Sequence, residues 1–312
     1  MKTIFVNWTK PFFHKNDAEG YNKIKMSDID DTNYNIVDYE LLIQKVAVLR
    51  AKKHIGHTKL YTDTIGFEFY KKLNLLDLWD EIDVDTLNTF DNENNDIKAG
   101  KFWTTGKSIV IGKQKEPFIF LDNDLIIRDE LPNWIYDYDL VHTHWEIQRG
   151  EFFVSNQQID SIGGIEDFAQ NMLMPNTSFL YINNNKLCED YLNKHLSIIK
   201  RNYEKIPEWL WLLADQGIMG YSARKLNLKV ESLENFIYVS YPEIDLTKVG
   251  CGLFWAKNPN HIDHETLNYE HVWFSKFRFK TDENYKIERM KELENELNQL
   301  TKTHKKEQLK LI

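Results

Sequence analysis

The chain has 312 residues, a formal net charge of −9 at pH 7, and hydrophobic residues at 42% of its positions. A chain of this length and composition buries a large core in one big domain or two small ones, so wholesale disorder is excluded. The negative charge argues against nucleic acid as the main partner. Two cysteines are too few for a disulfide framework or a four-cysteine zinc site.

Strands and helices are predicted to alternate in the first part of the chain. β-Branched and aromatic runs predict strands over residues 3–6, 59–63 and 81–84. Apolar residues at helical spacing predict helices over residues 38–53 and 67–76. This order predicts an α/β fold with a parallel sheet and right-handed crossovers.

The clearest strand of the sequence lies at residues 117–121, after a predicted helix over residues 97–114. Because every position of this strand is apolar, it is predicted to be a central strand covered on both faces. The following part of the chain is more mixed. Its predicted strands lie at residues 139–142, 178–182 and 228–230, and its predicted helices at residues 186–203 and 209–223.

A long amphipathic helix is predicted at the C-terminus. From residue 282 onward the chain contains no glycine or proline, and Met290, Leu293, Leu297 and Leu300 follow one another at heptad-like spacing. The predicted organisation is therefore an α/β domain over residues 1–280 and a helical extension over residues 281–312.

Three uses of this helix stay open: packing on the body, pairing in a homodimer, and peripheral contact with a membrane. The membrane contact would use Lys302, Lys305, Lys306 and Lys310. No apolar run reaches the roughly 18 residues of a membrane-spanning helix, and the apolar N-terminus is too short for a signal peptide. The predicted location is the cytoplasm, with peripheral membrane contact as the alternative.

The strongest functional signal is the segment Asp122-Asn123-Asp124, directly after the predicted central strand. Ligands of open α/β sheets bind beyond the carboxyl ends of the strands. Two carboxylates buried close together are costly without a cation, and a hard divalent ion such as Mg²⁺ or Mn²⁺ relieves that cost. The alternative is a plain turn, since Asp and Asn favour turns.

Four segments resemble, in chain order, the GT-A-fold glycosyltransferases that use nucleotide sugars and carry a DXD motif, especially the glycosyltransferase-8-like group. Residues 116–127 resemble the (Y/F)-L-D-x-D segment and residues 59–63 the early strand ending in Thr-Asp. Residues 174–181 resemble the strand that lines the sugar pocket, and residues 214–219 the D-Q segment downstream. The resemblance extends over roughly residues 1–277, and its specific parts are the DXD and DQ segments.

The resemblance implies a Rossmann-like, mostly parallel GT-A sheet flanked by helices. It also implies transfer of a sugar from a nucleoside diphosphate sugar, with a UDP-sugar favoured, to a glycan or other acceptor, as in polysaccharide biosynthesis. Mn²⁺ or Mg²⁺ would be held by Asp122 and Asp124, with Asp122 also contacting ribose or sugar. His271 is the expected third ligand, although the family's His-x-x-Gly-x-x-Lys pattern lacks its glycine here and Lys276 lies one residue closer.

Further donor-binding residues follow from the same resemblance. Asn7 and Trp8 would contact the nucleobase and ribose, with Trp8 stacking on uracil, although a tryptophan at such a position is commonly part of a core. Asp63 is either a nucleotide contact or a helix N-cap. Lys107 and Lys276 are expected to reach phosphate as point charges.

Asp215 and Gln216 would face the donor sugar across from the metal. Glu146 is a candidate general base if the reaction inverts the anomeric centre, and Asp215 is another; retention would instead suit the Asp215–Gln216 pair. Two other functional classes stay open. One is a non-catalytic binding or scaffold protein with the same fold, and the other is a metal-dependent nucleotidyltransferase or phosphohydrolase.

Overall fold

A computed structural model of the chain describes residues 1–14, 33–148, 173–201, 210–240, 254–257, 262 and 264–308. The strands of this part are β1 Lys2–Asn7, β2 Thr58–Thr62, β3 Glu81–Asp83, β4 Phe118–Leu121, β5 Leu125–Ile127, β6 Leu140–His142, β7 Trp145–Gln148, β8 Met174–Pro175, β9 Phe179–Ile182, β10 Val230–Ser232, β11 Phe236–Ser240, β12 Phe254–Lys257 and β13 Tyr269–His271.

The helices of this part are α1 Lys10–Phe13, α2 Asp38–His54, α3 Thr64–Lys72, α4 Asp85–Glu93, α5 Thr105–Lys113, α6 Asn185–Ile199, α7 over residues 210–225, α8 Lys276–Thr281 and α9 Glu283–Gln308. Helix α7 has three consecutive parts: Leu210–Leu212, a π-helical turn Leu213–Gly217, and Ile218–Lys225. Short 3₁₀ turns occupy Leu76–Leu78, Asn133–Asp137 and Val272–Ser275.

Seven strands form the central sheet in the order β10-β6-β9-β4-β1-β2-β3. Strands β4, β1, β2 and β3 run parallel, as do β10 and β6, while β9 runs antiparallel to both of its neighbours. The predicted α/β class with a mostly parallel sheet is confirmed. A four-stranded sheet has the order β12-β11-β7-β8, and β13 pairs with β5 in a separate two-stranded sheet.

Strand β4 shows how the sheet is covered on both faces. All four of its residues are buried, and alternate side chains enter different cores. Phe118 and Phe120 pack in the cluster that includes α5, α6 and α7, whereas Ile119 and Leu121 pack in the cluster on the α2 face. An apolar residue at every position is what a strand between two helical layers requires.

The region before β4 differs from its sequence-based prediction. A single helix is expected over residues 97–114, but α5 spans only Thr105–Lys113, and α4 precedes it at Asp85–Glu93. Ile97, Ala99 and Phe102 are buried in turns that connect the two helices. The spacing of these apolar residues in the sequence resembles that of a helix because the turns bury several apolar side chains in the same core.

Helix α9 packs on the body along its heptad-like face. Leu293 is fully buried and Leu300 nearly so, in a cluster with Ile43 and Val46 of α2. Met290 and Leu297 pack at the border of that cluster. No helix in the described part of the chain is long and apolar enough to cross a membrane. The side chains of Lys305, Lys306 and Lys310 lie outside the described residues.

Candidate metal and nucleotide site

The two carboxylates of the Asp122-Asn123-Asp124 segment lie on a tight turn at the carboxyl end of β4. Leu125 N donates to Asp122 O over 3.1 Å, and Asp122 N donates to Ser178 O on the neighbouring chain segment over 2.8 Å. Asn123 Nδ2 donates to Val6 O of β1 over 2.9 Å. The turn expected of these residue types is present, and its bonds to the β1 and β9 sides hold it at the ligand-binding edge of the sheet.

His271 joins these acids from the far end of the chain. Strand β13 pairs antiparallel with β5, which places His271 opposite Leu125, and Val272 N donates to Asp124 O over 3.0 Å. One ligand atom each of Asp122, Asp124 and His271 lies within 4.8 Å of the others, and among the described residues no other group of His, Cys, Asp and Glu meets this condition. The structure therefore brings together the three predicted metal ligands.

The donor set of this cluster fits a divalent cation. Burial lowers the pKa of His271 to about 4, although Asp124 opposes the shift, so its imidazole is neutral at pH 7, as metal binding requires. Two carboxylates suit Mg²⁺ and Mn²⁺, and the added imidazole favours Mn²⁺.

Lys276 lies against the same acids. Its Nζ is 2.8 Å from Asp124 Oδ2 and 3.5 Å from Glu40 Oε1 on α2. The ammonium of Lys276 thus partly balances the carboxylates of the cluster.

A second charged group surrounds Asp215 on the π-helical turn. Lys107 Nζ is 2.9 Å from Asp215 Oδ2 and 3.9 Å from Asp122 Oδ1, and it donates to Thr177 Oγ1 over 2.7 Å. Burial favours the neutral amine of Lys107, but Asp122 and Asp215 outweigh burial and raise its pKa. Tyr191 OH donates to Asp215 Oδ1 over 3.1 Å. Lys107 therefore links the DXD turn to the DQ segment.

Gln216 follows Asp215 and presents an unsatisfied acceptor. Its side chain is 9% exposed, and Oε1 has no hydrogen-bond partner among the described residues. A buried carbonyl oxygen without a donor is costly, so its presence beside a candidate site favours a ligand hydroxyl as the missing donor. The π-helical geometry of Leu213–Gly217 agrees with this, because such turns are frequent at functional sites.

Glu146 of β7 is also buried. Its Oε1 accepts from Asn176 Nδ2 over 2.6 Å and lies 3.2 Å from His144 Nε2. Burial raises the pKa of Glu146, but the bonds and charge of His144 and Asn176 outweigh burial, so the pKa is lowered. The charge of His271 also contributes to this lowering of the Glu146 pKa.

The predicted nucleotide contacts at β1 and β2 have partners within the protein. Asp63 N-caps α3 by accepting from Gly66 N over 2.9 Å and also accepts from Thr9 N and Thr9 Oγ1, so the N-cap alternative describes its role in the fold. Burial raises the pKa of Asp63 despite these bonds. Trp8 is 9% exposed, and its indole N–H donates to Asp91. Trp8 also packs closely on Gly106 of α5, since a Cβ added at Gly106 would come within 2.6 Å of the Trp8 Cβ.

Asn7, the last residue of β1, has a hydrogen-bond partner for one of its two side-chain polar atoms. Its Oδ1 accepts from Tyr34 OH over 2.6 Å, while Nδ2 is buried and has no partner among the described residues. A nucleotide contact by Asn7, Trp8 or Asp63 stays a prediction.

Sequence patterns miss the residues that support the charged groups. Tyr191 is fully buried on α6 at a position whose helical spacing marks it as a core residue. Its hydroxyl nevertheless holds Asp215 and lies 2.7 Å from Ser108 Oγ. Asn176 and His144, which hold Glu146, are connecting residues directly after β8 and directly before β7. The only local signal for this role is that Tyr191 carries a hydroxyl on the buried face of α6, which also carries His195.

The fold and the site define an α/β protein with an open, mostly parallel sheet that collects carboxylates, two lysines and a histidine at its carboxyl edge. Within that class, the chain belongs to DUF6734, a family of unknown function whose model matches residues 1–245. His271 and Lys276 lie beyond the matched residues. A comparison with curated protein sequences finds no match.

Several solved structures similar to this chain are glycosyltransferases. PaToxG glycosyltransferase is 12% identical with a TM-score of 0.39, and the match covers 72% of this chain and 69% of PaToxG. GlyE of Streptococcus pneumoniae TIGR4 is 16% identical with a TM-score of 0.36, and the match covers 75% of this chain and 46% of GlyE. Mouse xyloside xylosyltransferase 1 is 12% identical with a TM-score of 0.37, and the match covers 75% of this chain and 85% of the xylosyltransferase. At these values the likenesses carry no weight for function.

Proposed function

We propose that this protein is a glycosyltransferase that moves a sugar from a nucleoside diphosphate sugar, with UDP-sugars favoured, to a glycan or other acceptor. The observation that carries the proposal is the convergence of Asp122, Asp124 and His271 at the carboxyl end of a central strand. The resemblance of the DXD and DQ segments supports the choice of a nucleotide sugar over other phosphorylated ligands.

In this proposal Asp122, Asp124 and His271 hold Mn²⁺ or Mg²⁺. When bound, the cation supplies positive charge that stabilises a diphosphate leaving group. Lys276 is placed to give a further positive charge to the phosphates, since its Nζ already lies 2.8 Å from Asp124. Sequestering two anionic side chains and a diphosphate in one site needs this combination of charges.

The residues around Asp215 are assigned to the donor sugar. Lys107 and Tyr191 hold the Asp215 carboxylate in one orientation, which reduces the loss of side-chain freedom when a hydroxyl binds. The unsatisfied Gln216 Oε1 is the acceptor for a second sugar hydroxyl. Glu146, with its lowered pKa, is a weak proton acceptor, which favours a role in holding His144 over activation of the acceptor.

The test combines binding with donor hydrolysis. We expect calorimetry to show UDP binding that depends on Mn²⁺, and we expect slow hydrolysis of at least one donor in a panel of UDP- and GDP-sugars. Asp124→Asn should abolish both Mn²⁺ binding and hydrolysis while the circular dichroism spectrum stays unchanged. Asp77→Asn, at an exposed acid on the 3₁₀ turn Leu76–Leu78, is the matched control and should behave as wild type.

Three results would overturn the proposal. Full hydrolysis by Asp124→Asn would remove the metal site from the mechanism. A folded protein that binds neither Mn²⁺ nor UDP would favour the scaffold alternative. Consumption of a nucleoside triphosphate with release of pyrophosphate would favour a nucleotidyltransferase.

A further inference from the structure

The candidate metal site is assembled from two separate parts of the chain. Asp122 and Asp124 lie on the turn that follows β4 of the central sheet, whereas His271 is on β13, which pairs with β5 over only three residue pairs. A two-stranded ladder of this length is marginally stable by itself. A slip of one residue would turn every side chain of β13 to the opposite side and would move His271 away from Asp124.

Glu270, next to His271 on β13, holds that register through two arginines. Because neighbouring residues of a strand point to opposite sides, Glu270 faces away from the metal cluster when His271 faces it. Arg128, which follows β5, donates from Nη2 to Glu270 Oε2 over 2.5 Å, and Arg128 N donates to Asn268 O over 2.9 Å. Arg289 of α9 donates from Nη2 to both Glu270 carboxylate oxygens, over 2.5 and 2.6 Å.

Helix α9 is itself bound to the rest of the protein by hydrogen bonds and apolar contacts. Glu296, two turns beyond Arg289, accepts from Arg50 Nε of α2 over 2.6 Å and from Arg128 Nη1 over 2.9 Å. These partners lower the pKa of Glu296 against the effect of burial. The buried Leu293 lies between Arg289 and Glu296 in the sequence and anchors the same stretch of helix. Arg128 therefore bonds to both β13 and α9.

We propose that the C-terminal helix α9 belongs to the framework of the metal site, and that Glu270, clamped between Arg128 and Arg289, is the positioning residue that keeps His271 beside Asp124. The inference rests on the metal site of the proposed function, and it gives the helical extension a role within its own chain. The ladder of β13 and β5 has only three residue pairs and one flanking backbone bond at each end, and the Glu270 clamp adds side-chain bonds that a shifted register would lose.

The experiment measures Mn²⁺ affinity without nucleotide, from the electron paramagnetic resonance signal of free Mn²⁺. We expect Glu270→Gln to weaken Mn²⁺ binding about tenfold, since loss of groups that orient a ligand commonly costs 10- to 100-fold. His271→Ala should weaken binding more, and adding Glu270→Gln to His271→Ala should cause no further loss. A merely structural role of Glu270 would not depend on the presence of His271.

Glu81→Gln is the matched control. Glu81 on β3 accepts from Lys59 and pairs with Lys2, so this variant also breaks a two-lysine cluster, but on an edge strand of the central sheet, three positions from β4. It should leave Mn²⁺ affinity unchanged. If Glu270→Gln does not fold, Arg289→Gln removes the clamp from the helix side and should give the same tenfold loss.

The outcomes separate this inference from the proposed function. Wild-type affinity in Glu270→Gln, or an equal loss in the presence and absence of His271, would overturn the inference and leave the metal site intact. Failure of the wild-type protein to bind Mn²⁺ would overturn the metal site itself, and the inference with it.

Discussion

The buried pair of Lys107 and Asp215 shows how single residues of the site depend on one another. Lys107 is 9% exposed and Asp215 is 3% exposed, and their charges meet at 2.9 Å. A buried ion pair is strongly destabilised by the loss of one partner, because the remaining charge has no compensation. Thr177 and Tyr191 add hydrogen bonds to the pair but no positive charge.

At the residue scale we predict that Lys107→Met lowers the free energy of unfolding by about 3–5 kcal/mol, because it leaves Asp215 charged and unpaired. The double variant Lys107→Met, Asp215→Asn should recover a large part of this loss, since the second change removes the stranded charge. Urea unfolding measures both values. Additive effects of the two substitutions would show that the pair is not coupled in the folded protein.

At the scale of elements, the C-terminal helix illustrates how one apolar face can serve different partners. Its heptad-like spacing is compatible with the body, with a second copy or with a membrane, and the structure places that face against α2. Leu293 is fully buried there, whereas Ile287 on the same helix is 60% exposed. The burial of this face on α2 leaves less apolar surface for a homodimer or a membrane.

We therefore predict that Leu293→Ala lowers the free energy of unfolding by about 2–5 kcal/mol through the cavity it creates. Ile287→Ala, the matched control on the same helix, should change it by less than about 0.5 kcal/mol. Both values come from urea unfolding at two protein concentrations. Equal effects, or a loss for Ile287→Ala that depends on protein concentration, would indicate that the exposed side of the helix pairs with another copy.

At the scale of the whole molecule, buried histidines link stability to pH. Burial lowers the pKa of His142 to about 3 and that of His195 to about 4, from the ordinary value of 6.5. The unfolded chain binds protons at these positions below pH 6.5, and the folded chain does not. The stabilisation is therefore complete above pH 6.5 and is lost as the pH falls toward the folded values.

We predict that, in metal-free buffer, the free energy of unfolding falls by about 1.4 kcal/mol per pH unit for each such histidine between pH 6 and pH 5. His195→Gln should reduce this slope by the contribution of about one bound proton, which is about 1.4 kcal/mol per pH unit. Above pH 7.5 the slopes of the variant and the wild-type protein should coincide. Urea unfolding at closely spaced pH values provides the test. An unchanged slope in His195→Gln would mean that His195 is protonated in the folded protein.

The sequence by itself determined the alternation of strands and helices, the central strand β4 and the acidic turn after it. These features follow from local causes, namely hydropathy period, β-branched composition and the turn preference of Asp and Asn. The predicted helix over residues 97–114 is confirmed only over Thr105–Lys113, because the buried turns before it have the same apolar spacing. The sequence also left open whether Asp63 is a helix N-cap, and the structure shows that its carboxylate caps α3.

Only the tertiary structure decided which distant residues meet. His271 lies beside Asp124 because β13 pairs with β5, and Arg128 and Arg289 of α9 both bond to Glu270 of β13. Tyr191 reaches Asp215 because two helices pack on the same face of the sheet. Contacts between residues far apart in the chain arise from packing and pairing energies summed over whole elements, and no local pattern records them.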